Sequence, residues 1–283
     1  MLTRFPWFRS GLGCLLPVAL SIFAASAIAA QAQTQAPVLA GIAHAAIRVS
    51  DLTKSRDFYE KLGFEAAFAM SKGGTTTEVF LKVNDRQFIE MYPQQQPSQP
   101  IGFMHVCFES TDMEALNRDY LARGLSPTPV KRAGAGNLLF TMVGPEQQNI
   151  EYTEYMPGSM HSNDRGKHLG ANRISEEIVG LSLVMEDPAA AQAFYEQKLG
   201  FRFAHRAVEP GLISLEIPGR SGQMVEIASR ATSPAFQLLF SVSDLRRAAA
   251  QLKALHLPVE KQESMVSVQD PDGNRIVFVK VKP

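Results

Sequence analysis

Four side chains suited to metal or acid–base chemistry stand at matched spacings in this sequence. His44 lies in GIAHAAIRVS and Glu90 in QFIEMYP, whereas His105 lies in FMHVCFE and Glu151 in NIEYTEY. Glu90 follows His44 by 46 residues, and Glu151 follows His105 by the same 46. Imidazole nitrogens and carboxylate oxygens are donors that a borderline divalent cation accepts, and a carboxylate is also a ready proton acceptor. Taken singly, each residue is ordinary. A lone strand histidine is commonly a satisfied core or surface residue, and a strand glutamate commonly faces water. Arg48 shares the face of His44 by the two-residue period of a strand, and Cys107 shares that of His105. A buried cysteine there is expected to be a small apolar filler.

The elements that must position these residues are repeated. Gly41 to Phe64, GIAHAAIRVSDLTKSRDFYEKLGF, reads as a strand, an Asp51 N-cap, a helix with Leu52, Phe58, Tyr59 and Leu62 on one face, and a terminating Gly63. Three further copies begin at Ile101 (cap Asp112), Ile178 (cap Asp187, then Pro188) and about Ala235 (cap Asp244). Each copy is followed by three short alternating runs, which in the first are Glu65–Met70, Thr76–Val83 and Gln87–Tyr92. The chain is therefore four βαβββ modules. One module leaves an apolar sheet face bare, so modules must pair, giving an α+β architecture of two domains with two modules each. The boundaries expected are a first domain at 39–156, a Gly/Ser/Asn-rich linker at 157–174 and a second domain at 175–283. The linker histidines His161 and His168 are expected to be solvated.

Residues 1–32 have the pattern of a secretory signal: Arg4 and Arg9, an apolar run to Ala30, and small residues at Ala27-Ile28-Ala29 or Ala30-Gln31-Ala32. Removal is expected, with residues 33–38 as a spacer, an exported or periplasmic location and no stable membrane span; a retained anchor is the alternative. The full chain carries 28 basic and 28 acidic residues, a balance that gives no sign of a nucleic-acid partner. After loss of the leader Cys107 is the sole cysteine, so no internal disulfide is available and stability must come from packing.

HAAIRVSDLTKSRDFYEKLGF, AFYEQKLGF and the closing DPDGNRIVFV make the chain resemble the vicinal oxygen chelate superfamily, which includes glyoxalase I, methylmalonyl-CoA epimerase, extradiol dioxygenases and antibiotic-resistance proteins. The resemblance covers about residues 39–283. It implies two cupped domains and a metal site with ligands His44, Glu90, His105 and Glu151. The same register in the second domain gives Gly180, Glu226, Gln237 and Val277, so one site is expected, in the first domain. The resemblance further implies one divalent ion (Ni, Zn, Mn, Co or Fe), with Glu151 or Glu90 alternating as catalytic base. Arg48 corresponds to a glyoxalase I arginine that meets an anionic group; a salt bridge to Glu109 is the alternative.

Three functions remain open on the sequence. The first is a glyoxalase I- or epimerase-like isomerase or lyase, acting on a small vicinal-oxygen compound through a metal-stabilised enediolate. The second is an extradiol iron dioxygenase, a class that typically uses two histidines and one carboxylate rather than two. The third is a drug-sequestering binding protein. The partner is a small molecule in each case, and a homodimer is compatible with all three.

Overall fold

The computed structural model describes residues 38–204, 211–231 and 236–280; the expected leader and most of the spacer lie outside them. The first strand, β1 (Leu39–Val49), is followed by α1 (Leu52–Lys61), β2 (Ala66–Lys72), β3 (Thr75–Lys82) and β4 (Phe88–Pro93). The second copy supplies β5 (Gly102–Ser110), α2 (Met113–Ala122), β6 (Lys131–Arg132), β7 (Leu138–Val143) and β8 (Asn149–Glu154). These eight strands form one sheet in the order β2-β3-β4-β1-β5-β8-β7-β6. β1 runs parallel to β4 and antiparallel to β5, and β5 runs parallel to β8.

A one-turn helix, α3 (Met160–Asn163), precedes the second half. That half begins with β9 (Ile178–Met185), α4 (Pro188–Gln197), β10 (Arg202–Ala204), β11 (Ile213–Ile217) and β12 (Arg220–Ser229). It closes with β13 (Gln237–Val242), α5 (Leu245–Ala254), β14 (Glu260–Lys261), β15 (Met265–Gln269) and β16 (Arg275–Lys280). Its sheet repeats the same order, β10-β11-β12-β9-β13-β16-β15-β14.

The helices start where the sequence caps them. Asp51, Asp112, Asp187 and Asp244 each accept a hydrogen bond from a first-turn amide, which satisfies donors that have no partner inside the helix. Gly63 ends the first helix at φ +91, in the left-handed region. A Cβ on Gly63 would strike the backbone of Arg173, because the returning chain crosses there and Ile174 N donates to Leu62 O at 2.9 Å.

Alternation along β1 decides which way each side chain points. Ala45, Ile47 and Val49 enter the hydrophobic core with Phe58, Tyr59 and Leu62 of the first module. His44, Ala46 and Arg48 face the opposite, concave side. The core runs without a break into the second half, where Phe64 stacks on Phe240 and Phe108 meets Phe201 edge to face. Two equivalent glutamines join the halves. Gln87 receives Ile178 N at 2.8 Å and donates to Ile178 O at 2.9 Å, while Gln223 receives Ile42 N at 2.8 Å.

The segment between the halves forms a strap over the concave face. Lys82, fully buried at the end of β3, binds Asp164 of the strap and Asp85, each at 2.8 Å. Asp85 also accepts Gly166 N at 2.8 Å. Breaking a buried pair leaves an uncompensated charge, which is far costlier than losing an exposed one. Lys82→Met should lower the unfolding free energy by roughly 3–5 kcal/mol, measured by urea denaturation. An effect no larger than that of an exposed lysine would show that the strap is not held by this pair.

Candidate metal centre

The backbone register converges four side chains on one point. Ala46 pairs with Glu90 across β1–β4 and with His105 across β1–β5. Cys107 pairs with Glu151 across β5–β8. Two ring nitrogens, His44 Nε2 and His105 Nε2, face each other at 3.1 Å. Glu151 Oε1 is 3.4 Å from His44 Nε2, and Glu90 Oε2 is 3.8 Å from His105 Nε2. Glu90 Oε1 lies 3.1 Å from His44 Nδ1, off the line of a hydrogen bond, so that buried nitrogen has no hydrogen-bond partner. His44, Glu90 and His105 are all buried. The structure thus brings together the four expected ligands.

Charges and burial set the chemistry of this cluster. Burial holds His105 neutral, lowering its pKa to about 4. Burial also pushes the Glu90 carboxyl well up, with the nearby Glu78 and Glu151 charges adding to the rise. Burial acts upward on Glu151 too, but its hydrogen bond to His44 and the electrostatic pull of the nearby histidines outweigh it, so its carboxyl sits below the usual range. The two carboxylates are therefore driven apart, with Glu151 the one that stays ionised.

The donor set suits a divalent ion. Two imidazoles and two carboxylates match the donors of borderline metals such as Zn, Ni, Co, Mn or Fe. Adjacent nitrogens on one metal, with bonds of roughly 2.1 Å, stand about 3.0–3.4 Å apart, and the imidazole pair is at 3.1 Å.

A cavity of about 130 Å³ opens on this cluster. Its lining adds Glu78 and Tyr92 from neighbouring strands and Asn137, Tyr155 and His161 from the other side. Tyr92 bridges two carboxylates: its hydroxyl lies 3.2 Å from Glu90 Oε2 and also donates to Glu78 Oε1.

Several expectations need correction. Arg48 lies on the face of His44, but its guanidinium turns at the strand end to donate to Pro100 O at 2.9 Å, and it is not among the residues lining the cavity. Its alternative partner Glu109 instead pairs with Arg86 at 2.8 Å. His161 is buried rather than solvated, because α3 folds into the cup. It stacks on Tyr155, meets Phe68, Phe80 and Phe88 edge to face, and its Nδ1 contacts Asn137 Nδ2 at 2.8 Å. His168 pairs with Asp164 at 2.6 Å. Phe80 lines the cavity, whereas Phe108 and Phe140 are core. Cys107 is fully buried, and burial pushes its thiol well up, as a filler requires; its sulfur nevertheless lies beside His44 and Glu151.

The second cup keeps the register with different side chains. Ser182 pairs with Glu226 and Gln237 as Ala46 pairs with Glu90 and His105. Gly180 replaces His44, and a Cβ there would lie 2.8 Å from Met224 O. Glu226 is fully buried and accepts Ser182 Oγ at 2.8 Å. Val179, Leu239, Met265, Val277 and Val279 form a separate apolar cluster in this half. Among the described residues, both groupings that could hold a metal contain His44.

A sequence profile of the glyoxalase/bleomycin resistance protein/dioxygenase superfamily matches residues 41–152 and again 177–278. The chain belongs to this superfamily. No curated protein matches it in sequence. Solved structures of similar fold include the 2,3-dioxygenase LapB from Pseudomonas sp. KL28, with TM-score 0.67, 15% identity, 88% of this chain and 94% of that one covered. An extradiol ring-cleaving dioxygenase from B. fuscum has TM-score 0.66 and 15% identity, covering 88% and 73%. The homoprotocatechuate 2,3-dioxygenase of Arthrobacter globiformis has TM-score 0.63 and 16% identity, covering 88% and 82%. At these identities the likeness is one of fold.

His161 gives this superfamily member a pH dependence. Burial lowers its pKa from 6.5 to about 3. The unfolded chain therefore binds a proton that the folded chain refuses, so stability falls as pH drops below about 6.5. His161→Phe should remove about 2 kcal/mol of the stability loss between pH 7 and pH 5, read from denaturation midpoints at each pH. An unchanged pH slope would show that His161 is solvated after all.

Proposed function

We propose that the protein is a divalent-metal-dependent isomerase or lyase acting on a small compound with two neighbouring oxygens. The observation that carries this reading is the facing imidazole pair, His44 and His105 at 3.1 Å, flanked by both Glu90 and Glu151. A divalent ion held by these four residues would supply Lewis-acid polarisation of a substrate oxygen. The ionised Glu151 is the base for a proton on the carbon beside that oxygen, and it can return the proton to the substrate. Glu90, with its raised pKa, is the weaker candidate for that transfer. The strap residues Tyr155 and His161 close the cavity and limit water around the reacting carbon. The leader-like residues 1–32 support an exported enzyme, and the described residues contain no helix long and apolar enough to cross a membrane.

An extradiol iron dioxygenase is the second reading, favoured by the shared two-sheet layout with the dioxygenases above. The second carboxylate counts against it. Metal analysis of protein purified without chelator separates these readings. About one equivalent of Ni, Zn, Mn or Co, lost in a His44→Ala/His105→Ala double variant, supports the proposal. Hydrogen–deuterium exchange at the carbon next to the carbonyl of hydroxy-ketones should then fall by about 100-fold or more in Glu151→Gln. One equivalent of iron with oxygen uptake on catechols would favour the dioxygenase. Failure to bind any metal, even after reconstitution, would leave a binding protein.

A further inference from the structure

Two side chains that line the cavity carry polar atoms that nothing in the protein satisfies. Asn137 and His161 share it with His44, Glu90 and Glu151, and they are only 3% and 4% exposed. Their mutual contact, Asn137 Nδ2 to His161 Nδ1 at 2.8 Å, fixes the roles of the remaining atoms. An amide nitrogen only donates, so Nδ1 accepts and the neutral ring holds its proton on Nε2. That leaves Nε2–H as a donor and Asn137 Oδ1 as an acceptor, and neither has a hydrogen-bond partner among the described residues. With the amide turned over the two roles exchange, and one donor and one acceptor still remain. The ring's other neighbours are the aromatic faces and edges of Phe68, Phe80, Phe88 and Tyr155, and Tyr155 gives its hydroxyl to Arg86 O at 3.0 Å.

The pair is also held in place. Ala133 N donates to Asn137 O at 2.8 Å and Gly136 N to Ala133 O at 2.9 Å, closing a turn just before β7. Met160 N donates to Ala135 O of that turn at 2.9 Å, so α3 and the turn are tied together. Buried polar atoms are nearly always paired, and an unpaired donor beside an unpaired acceptor is costly to the fold unless a ligand completes them.

We infer that Asn137 and His161 form a subsite for a substrate hydroxyl, separate from the two oxygens that the metal would hold. The inference rests on the metal site proposed above and adds a third oxygen to its substrate. A hydroxyl donates and accepts at once, so it satisfies both atoms. A carbonyl or carboxylate only accepts and an ammonium only donates, and each would leave one of the two atoms unpaired. The cavity of about 130 Å³ confines the choice to short compounds. The substrate class is accordingly a short polyhydroxylated ketone or aldehyde.

The test uses the full protein loaded with Co²⁺, whose visible absorption reports ligands entering the metal's surroundings independently of turnover. Dihydroxyacetone and hydroxyacetone, which differ by one terminal hydroxyl, are titrated into wild type, Asn137→Leu, His161→Phe and His161→Gln. Neither residue belongs to the ligand set, so every variant should keep the Co²⁺ spectrum. Wild type should bind dihydroxyacetone on the order of tenfold more tightly than hydroxyacetone. Asn137→Leu and His161→Phe should bring the two affinities together by weakening dihydroxyacetone alone, and His161→Gln, which keeps a donor, should recover part of the preference. Equal affinities in the wild type, with its spectrum intact, would mean that water completes the pair; this overturns the inference and leaves the metal site standing. A preference unchanged in both Asn137→Leu and His161→Phe overturns it likewise, and loss of the Co²⁺ spectrum from both would make the pair structural and do the same. Absence of a Co²⁺ spectrum from the wild type would overturn the metal site and this inference together.

Discussion

The position of Ala46 in the first sheet governs the rest of the site. Its parallel pairing brings Glu90 alongside, and its antiparallel pairing brings His105 to the other side. His44, two residues earlier, then points between them, and Glu151 arrives through the next pairing, opposite Cys107. The same alternation sends Ala45, Ile47 and Val49 into the core. A slip of β1 by one residue would exchange the two faces, burying an imidazole in hydrocarbon and removing the site at once. The hydrophobic pattern that stabilises the strand is therefore also what holds the register of the chemistry.

Duplication explains how two cups of one register come to differ, one with the His/Glu cluster and the other with apolar filling. Both halves keep the β1–β4 and β1–β5 type pairings and the cross-linking glutamines, because those features hold the sheets and join the halves. The core spans both halves, so the second is needed for packing whether or not it binds anything. Its equivalent of His44 is Gly180, and Met224 approaches closely enough to exclude a side chain there. The buried Glu226 persists, and among its partners is the Ser182 hydroxyl, which donates to it at 2.8 Å.

The sequence carried the fold well, because the information was repetitive. Asp51, Asp112, Asp187 and Asp244 mark four helix starts, and all four cap as their type requires. The clustering of the four candidate side chains could be read because a constant spacing in a repeat is a constant position in a sheet. What could not be read lies outside the repeat. His161 occupies a polar segment without periodicity, and it is buried by tertiary contacts with Phe68, Phe80, Phe88 and Tyr155 that no local pattern announces. Arg48 was legible as to face but not as to reach: a long side chain at a strand end satisfies the nearest carbonyl. Glu78, Phe80 and Lys82 alternate with the core residues Val79, Leu81 and Val83, so the signal for a cup-facing glutamate was present in TTTEVFLKV.

The strap and the cluster make sense together. Three carboxyls within one small cavity repel, and burial makes each harder to ionise, as the upward shifts of Glu78 and Glu90 record. A site built this way is costly to the fold unless a cation enters it, and the binding of that cation is then coupled to stability. Closing the cup with Tyr155 and His161 sharpens the coupling, because removing water strengthens attraction to the cation and repulsion among the carboxyls alike. The buried lysine that anchors the strap stands on the cup face of β3, two residues beyond Phe80 and four beyond Glu78. Strand β3 thus supplies a cavity carboxyl, a cavity wall and the clamp of the lid from one alternating face, which ties the electrostatics of the site to the packing that closes it.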